Sequence, residues 1–266
     1  MGRVAVVTGG ASGIGRAMAT RFAAAGMEVV IADVEAVALA ATADELGVTG
    51  VVTDVSDAAS VQALADAVLA QYGRVDLLCN NAGVGGGGHV VELELADWQW
   101  VLGVNLWGVI HGLQSFLPHL VANPDGAHIV NTASMAGLAA FPGAAPYCAS
   151  KFAVIGLSEA LQQELVVDGA DVGVSVLCPG FVRTNIFTSQ RNRPADLRVG
   201  ERPPLAAARA ANADMIAMVE ATALDPAVVA DAVHDAVLVR RFWVFTHPDL
   251  VDHLDARHDA LLADKQ

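Results

Sequence analysis

Basic residues, cysteines and long apolar runs are all scarce in this chain of 266 residues. The 15 Lys and Arg residues stand against 29 Asp and Glu, and the net charge of −14 disfavours nucleic acid or an anionic membrane as a partner. No apolar run approaches the ~20 residues that a membrane span needs. The three cysteines, Cys79, Cys148 and Cys178, lie in apolar segments without paired spacing, so we expect neither disulfides nor a metal site.

The first residues give no sign of a targeting segment. Residues 1–8 contain one basic residue and lead directly into a glycine-rich turn. They are too short for a signal peptide and have the composition of a first strand. We therefore expect a soluble, cytoplasmic protein.

Lysine and tyrosine are also scarce, and one of each occurs in the run YCASK at residues 147–151. The chain has two tyrosines, and only two of its 15 basic residues are lysines. Positions four apart on a helix share a face, so Tyr147 and Lys151 can direct a phenol and an ammonium into one pocket. A nearby positive charge favours the phenolate, which makes the pair a candidate general acid/base, although an ordinary helix surface has the same spacing. Ser134, just upstream, could hold a substrate oxygen beside the phenol.

The N-terminal stretch has the pattern of a nucleotide-binding βαβ unit. An apolar strand at residues 3–7 is followed by a glycine-rich turn and by an alanine-rich helix at 16–25. Glycines let the backbone approach a pyrophosphate, and the helix N-terminus offers N–H groups to the anion. A second strand, at 28–32, ends at Asp33. Its carboxylate can accept from adenosine ribose hydroxyls and would repel a 2′-phosphate, which favours NAD over NADP, although a helix N-cap is the alternative role.

Strand and helix patterns alternate along the rest of the chain. Further strands are predicted at residues 48–53, 75–79, 127–132, 172–177 and 242–245. Helices are predicted at residues 57–72, 96–120, 147–166, 226–240 and 248–263, with the polar Asn105 inside the second of them. This alternation predicts a Rossmann-type α/β three-layer fold, with a seven-stranded, mostly parallel sheet and helices on both faces. We expect residues 1–266 to form a single dinucleotide-binding catalytic domain.

Polar and small residues directly follow the predicted strands. They are the glycine-rich turn, Asp33, Asp54, Asn81, Ser134 and Pro179-Gly180. Because ligands of parallel sheets bind at the carboxyl ends of the strands, we expect one edge of the sheet to carry the site. The helices that carry Asn105 and the Tyr147/Lys151 pair would border that edge.

The segment 181–223 differs in composition from the rest of the chain. It contains Pro194, Pro203 and Pro204 and six arginines, and we interpret it as a mobile substrate-binding lid. The arginines either bind a substrate carboxylate or form a solvated surface, and the second interpretation is favoured. Residues 85–88, four glycines, predict a flexible loop. The spacing of His247, His253 and His258 does not place them on one helical face, which argues against a metal site.

Together these motifs resemble the short-chain dehydrogenase/reductase family over nearly the whole chain. The matching motifs are Thr8-Gly9-x-x-x-Gly13-x-Gly15, Asp54, Asn80-Asn81-Ala82-Gly83, Asn105, Ser134, Tyr147-x-x-x-Lys151 and Pro179-Gly180 with Thr184. The resemblance implies that Tyr147 exchanges a proton with the carbinol oxygen, and that Lys151 lowers the tyrosine pKa and holds the nicotinamide ribose. It implies that Ser134 positions the substrate oxygen and that Asn105 supports Lys151 through a water.

The resemblance also implies an NAD site and no metal. The NAD-binding residues would be Gly9, Ser12, Gly13, Ile14, Gly15, Asp33, Asp54, Val55, Asn81, Ala82, Gly83, Tyr147, Lys151, Pro179, Gly180, Val182 and Thr184. A homotetramer would be built through the helices near residues 98–120 and 147–166.

The implied function is NAD-dependent interconversion of a secondary alcohol and a ketone. Residues 179–186 and 242–248 resemble bacterial members that act on bulky hydrophobic alcohols, including aromatic alcohols and terpenoid hydroxy acids. Three alternatives stay open: a dehydrogenase of a carboxylate-bearing hydroxy acid bound by the lid arginines, an epimerase or dehydratase, and a non-catalytic NAD-binding regulator.

Overall fold

The computed structural model describes residues 2–200, 222–250 and 252–263. Its centre is a seven-stranded sheet in the order β3-β2-β1-β4-β5-β6-β7, and the strand pairings are all parallel. The strands are β1 (Val4–Thr8), β2 (Glu28–Asp33), β3 (Thr49–Val52), β4 (Leu77–Asn80), β5 (Ala127–Thr132), β6 (Val172–Cys178) and β7 (Trp243–Phe245). The predicted Rossmann-type α/β fold is confirmed.

Helices cover both faces of this sheet. In the described parts of the chain they are α1 (Gly13–Ala24), α2 (Ala36–Leu46), α3 (Ala58–Tyr72), α4 (Leu95–Leu102), α5 (Gly108–Val121), α6 (Ala145–Val167), α7 (Pro226–Leu238) and α8 (Asp252–Ala263). Two helices begin at carboxylate caps, since Asp57 accepts the Ala59 N–H and Asp225 accepts the Ala227 N–H.

The apolar core forms two layers, one on each side of the sheet. Strand side chains alternate between the layers, so that Val4 and Val6 belong to one and Ala5 and Val7 to the other. The first layer packs against α3, α5 and α6, and the second packs against α1, α2 and α7. Because β1 is buried along its whole length, its sequence is continuously apolar up to Thr8. Because both faces of β1 are packed, the end of the strand at Thr8 has a defined position at the carboxyl edge of the sheet.

The helix predicted at residues 96–120 is confirmed, but its hydrogen-bond pattern changes at its centre. A π-helical turn, Gly103–Trp107, separates α4 from α5. Asn105, at the centre of this turn, is fully buried; its side chain accepts the Val84 N–H and donates to the Val84 carbonyl and the Ser150 hydroxyl. The wider turn places the amide against the loop after β4, where its polar atoms find partners.

The order of the sheet reverses between β1 and β4. These strands are neighbours, although β2 and β3 lie between them in the sequence. Connections on the two sides of such a reversal leave toward opposite faces of the sheet, so a crevice opens at the carboxyl ends of β1 and β4. The candidate site predicted from the sequence lies at this edge.

The structure also addresses membrane and metal sites. Within the described residues, no helix has both the length and the apolar character that crossing a bilayer requires. No group of three or more His, Cys, Asp and Glu side chains comes together as a metal site in that same part of the chain. The side chain of His253 lies outside the described residues. All three cysteines are free and buried.

Candidate active site

The turn between β1 and α1 is shaped by its glycines. Gly9 has a φ of +65°, which favours glycine, and a side chain at Gly15 would overlap the Gly9 carbonyl oxygen. Ser12 occupies the N-cap of α1, yet its side chain makes no capping hydrogen bond. The N–H groups of Gly13, Ile14 and Gly15 at the helix start are thus left uncapped by Ser12, and such a terminus attracts an anion.

Thr8 joins this turn to the loop after β4. Its hydroxyl oxygen accepts the N–H groups of Asn81 and Ala82, each at 3.0 Å. The Asn81 side-chain amide donates in return to the Thr8 carbonyl at 3.0 Å. A side chain at Gly83 would lie 3.7 Å from Nζ of Lys151. Residues 81–83 are therefore held between the glycine-rich turn and Lys151.

Asp33, at the end of β2, is tied to the same turn. Its Oδ2 accepts the Ala11 N–H at 3.1 Å, and its Oδ1 accepts the Glu35 N–H at 3.0 Å. The N-cap position of α2 is occupied by Glu35, so the alternative role of Asp33 as the helix cap is wrong. Asp33 instead joins the backbone of the glycine-rich turn to that of the segment after β2.

Asp54 and Val55 follow β3, on the far side of β2 from β1. Oδ1 of Asp54 accepts the N–H and the hydroxyl of Ser56, at 2.9 and 2.7 Å. The Val55 side chain is buried against Gly108 at the start of α5. The backbone carbonyl oxygen of Val55 lies 2.9 Å from Nδ1 of His111. Both residues thus have defined positions at the carboxyl edge.

Tyr147 and Lys151 lie one turn apart near the start of α6. Lys151 is buried, and its ammonium donates to the Thr132 carbonyl at the end of β5 over 2.9 Å. Nζ of Lys151 also lies 5.6 Å from the centre of the Tyr147 ring. Ser134, two residues past β5, is buried, and its hydroxyl accepts the Ala136 N–H at 3.1 Å. The fold brings these three side chains to the same edge of the sheet.

Burial dominates the ionisation of this group. It raises the pKa of the Tyr147 phenol, and a hydrogen bond with the Ser134 side chain opposes the rise. Burial also lowers the pKa of Lys151 to about 8. The lowering of the Tyr147 pKa by Lys151 that the resemblance implies is therefore opposed by the loss of water around the phenol. A phenol that keeps its proton can act as a general acid.

Ser150 links Asn105 to this group, and sequence reasoning missed it. The fully buried Ser150 hydroxyl donates to the Tyr147 carbonyl at 2.7 Å and accepts from Asn105 at 3.2 Å. Among the described contacts, the Asn105 side chain makes no direct hydrogen bond to Lys151. The only sequence signal for Ser150 was its place inside the run YCASK, between the two reactive side chains.

The loop after β6 is supported by His247. The Pro179 carbonyl accepts the Met135 N–H at 3.0 Å, and the Gly180 N–H donates to Nδ1 of His247 at 3.1 Å. Burial lowers the pKa of His247, which favours the neutral ring that this acceptor role requires. Sequence reasoning considered His247 only as a metal ligand, because no pattern connects it to Gly180, 67 residues away.

The first lid residues also lie at this edge. Val182 is buried and forms an isolated parallel bridge with Leu224. Thr184 packs on the glycine-rich turn, since a side chain at Gly13 would lie 2.9 Å from its Cγ2. These contacts place residues 182–184 beside the start of α1.

Four of the six lid arginines lie within the described residues. Three of them form ion pairs, which are Arg183–Asp225, Arg191–Glu35 and Arg193–Asp97. Arg193 is buried, so the solvated surface expected for these arginines is wrong at this position. Arg202, Arg209, Pro203 and Pro204 lie outside the described residues, as does the part of the predicted lid from 201 to 221.

The glycine loop at residues 85–88 is attached at both ends. The Gly85 N–H donates to the Ser189 hydroxyl at 3.1 Å, and the Gly88 N–H donates to the Gly143 carbonyl at 2.8 Å. A side chain at Gly85 would lie 2.7 Å from the Ile186 carbonyl oxygen. Close packing against the lid, rather than the flexibility expected from sequence, accounts for glycine here.

Comparison with known proteins identifies the family. The family profile "short chain dehydrogenase" matches residues 3–195. A short chain dehydrogenase/reductase from Burkholderia phymatum, solved in complex with NAD, is 45% identical, with a TM-score of 0.94 over 100% of this chain and 96% of that protein. The 1-deoxy-11-beta-hydroxypentalenate dehydrogenase of Streptomyces avermitilis is 38% identical over 92% of this chain and 84% of its own length. The C alpha-dehydrogenase of a Sphingobium species is 34% identical over 98% of this chain and 85% of its own length. The chain belongs to the short-chain dehydrogenase family.

Proposed function

We propose that this oxidoreductase uses NAD to interconvert a secondary alcohol and a ketone of largely apolar character. The observation that carries the proposal is the meeting of Ser134, Tyr147 and Lys151 at the carboxyl edge, beside the glycine-rich turn of a dinucleotide fold. A hydroxyl, a phenol and an ammonium side by side supply the acid/base chemistry that a carbinol oxygen requires.

The residues of the crevice fit a dinucleotide. The glycine-rich turn allows close backbone approach, and the start of α1 offers N–H donors to a pyrophosphate. Asp33 would accept from the adenosine ribose, and its charge opposes a 2′-phosphate, which favours NAD over NADP. The complex of the B. phymatum relative with NAD supports the same choice. The other proposed contacts are Asp54, Val55, Asn81, Ala82, Gly83, Pro179, Gly180, Val182 and Thr184.

Tyr147 performs the proton transfer in this mechanism. The cofactor supplies the hydride acceptor or donor. Tyr147 gives its proton to the ketone oxygen in reduction and takes a proton from the alcohol in oxidation, while the Ser134 hydroxyl holds that oxygen. The Lys151 charge stabilises the phenolate that remains once the proton has left. Asn105 and Ser150 hold the start of α6 and thereby the phenol.

Apolar side chains adjoin the reactive tyrosine. Val84, Trp100 and Val101 form a buried cluster against which Tyr147 and Leu197 pack. This lining supports an apolar substrate. A carboxylate-bearing hydroxy acid is the second candidate, but the lid arginines that would bind it already pair with carboxylates of the protein in three of the four described cases.

The proposed assembly is a homotetramer built through α4, α5 and α6. Apolar side chains are exposed on these helices and on the π turn between α4 and α5: Leu95, Trp107, Val121, Val166 and Val167. Exposed apolar surface of this kind is typical of protein contacts.

A panel of secondary alcohols tests the proposal. Reduced-nicotinamide formation is followed with NAD or NADP on aliphatic, benzylic and carboxylate-bearing members. Turnover of apolar members with NAD is the expected result. Turnover with NADP alone would contradict the assignment of Asp33, and turnover of carboxylates alone would favour the second candidate. Tight NADH binding without any turnover would favour a non-catalytic regulator.

A further inference from the structure

Three consecutive lid residues attach to opposite walls of the crevice. The first wall is the segment after β2, where the Glu35 carboxylate accepts hydrogen bonds from Nη2 of Arg191 at 2.6 Å and from its Nε at 3.3 Å. The same carboxylate accepts a hydrogen bond from the side-chain amide of Asn192 at 2.8 Å. Glu35 lies two residues past Asp33, at the strand end proposed to hold the adenosine ribose. The lid thus reaches the adenosine side of the crevice.

The next residue, Arg193, attaches to the second wall. Its Nη1 donates to Oδ1 of Asp97 in α4 at 2.8 Å, and its Nε donates to the Leu197 carbonyl at 2.6 Å. The guanidinium also lies 5.2 Å from the centre of the Trp100 ring. Trp100 belongs to the apolar cluster that adjoins Tyr147. On this side the lid is joined to the wall of the proposed substrate pocket.

The two attachments differ in their contact with water. The Arg191 and Glu35 side chains are 36% and 31% exposed, whereas Arg193 and Asp97 are 3% and 13% exposed. Salt screens exposed pairs strongly and buried pairs weakly. The Arg193 guanidinium uses Nη1 and Nε on two different acceptors, an arrangement that the single ammonium of lysine does not reproduce. We therefore expect the adenosine-side attachment to weaken with salt and the substrate-side attachment to depend on salt much less.

We propose that residues 186–193 form a strap across the crevice, in which Glu35 and Arg193 are positioning residues with separate effects. Glu35 retains the bound dinucleotide by holding Arg191 and Asn192 over its adenosine side. Arg193 sets the substrate pocket by fixing the lid against Trp100. The inference rests on the proposed function, because it assumes a dinucleotide in the crevice.

The Glu35 half is tested by NADH release. Glu35→Gln and Glu35→Ala are compared with wild type by stopped-flow fluorescence, at low and high salt. Release should be about two- to fivefold faster in the variants at low salt, which is the range of a partly exposed ion pair. Wild-type release should quicken with salt, and release from Glu35→Ala should not. Asp171→Asn is the matched control, because it alters an exposed ion pair, with Arg240, that lies at the start of β6 and away from the carboxyl edge of the sheet.

The proposed role of Arg193 is tested by measuring the KM for an alcohol and the NADH dissociation constant in the same variants. Arg193→Lys and Arg193→Met should raise the KM for 1-phenylethanol about tenfold, as misplacement of a pocket wall does, with an unchanged NADH dissociation constant. Asp97→Asn combined with Arg193→Met guards against a folding defect, since it removes both charges of the pair together and keeps a side-chain oxygen for the Glu94 N–H. Hydrogen exchange in residues 186–198 should quicken in Arg193→Lys, whether NADH is present or not.

The outcomes separate the strap from the proposed function. Wild-type protein that binds no NADH would overturn both. Normal NADH binding with unchanged release from Glu35→Ala would overturn the strap alone. So would an Arg193→Lys variant with unchanged KM and exchange, or one in which NADH affinity falls as far as substrate affinity.

Discussion

The ammonium of Lys151 is buried, bonded to the Thr132 carbonyl and 5.6 Å from the centre of the Tyr147 ring. Its pKa is lowered to about 8 by burial, and burial raises the pKa of Tyr147. At neutral pH the site therefore contains a protonated phenol and a charged lysine. In this state Tyr147 can give a proton to a ketone but has little capacity to take one from an alcohol.

The two reaction directions should consequently depend on pH differently. Alcohol oxidation needs the phenolate, so its kcat/KM should rise from pH 6 upward and flatten above about pH 8, where Lys151 loses its charge. Ketone reduction needs the phenol, which keeps its proton over this range, so its kcat/KM should stay level up to about pH 8 and fall as Lys151 loses its charge. Rate profiles in both directions measure this, and an oxidation rate that falls with rising pH would contradict the assignment of Tyr147.

Among the elements, β5 and β6 contain a buried polar chain far from the active site. Nε2 of His128 lies 2.8 Å from the Ser175 hydroxyl, which donates to the Arg241 carbonyl at 2.6 Å. Because the Ser175 proton is used in that bond, Nε2 of His128 must carry a proton. Burial lowers the pKa of His128 to about 4, and the charge of Arg240 adds to this.

Acid should therefore weaken this pair of strands. Between pH ~6.5 and about 4 the unfolded chain binds the His128 proton more readily than the folded chain, so stability falls as pH falls. From these values, about 2 kcal/mol should be lost between pH 7 and 5 through His128. His128→Gln keeps a donor for Ser175 and cannot titrate. Urea unfolding at the two pH values should show a smaller loss in the variant, and an equal loss would show that His128 stays out of acid unfolding.

Sequence patterns predicted the elements well where each segment buries a continuous apolar face. They failed at the π turn, because the helical periodicity of residues 96–120 continues through it. The buried amide of Asn105 was the sole signal that the backbone deviates. They failed also at Arg193, whose partner Asp97 lies 96 residues away in the sequence. No local pattern distinguishes a buried guanidinium from a solvated one. A proline-rich lid also lacks the hydrophobic periodicity from which helices and strands are predicted.

In the whole molecule, the topology of the sheet is enough to place the candidate residues close together. Each strand ends at one edge, and the reversal between β1 and β4 opens the crevice there. The glycine-rich turn, Asp33, Asn81 and Ser134 were therefore predictable as neighbours. The supporting contacts of Ser150 with Asn105 and of His247 with Gly180 join distant segments and were not predictable.

The proposed tetramer is tested at the same scale. Light scattering should give a mass about four times the 27.4 kDa of the chain. Trp107 is 52% exposed on the predicted contact helices, so Trp107→Glu should shift the protein toward smaller species. Val37→Glu, at an 87% exposed position on α2, is the control that should leave the mass unchanged. A wild-type monomer would contradict the proposed assembly.

The most direct test of the central claim is the turnover of Tyr147→Phe, measured alongside its affinity for NADH. Removing the phenolic proton should reduce kcat by about 100-fold or more with the best alcohol of the panel, which is the contribution of a positioned acid/base. NADH should still bind the variant, weakened by no more than the loss of one hydrogen bond, because the change leaves the glycine-rich turn and Asp33 intact. A variant that binds NADH normally and retains most of its turnover would contradict the account.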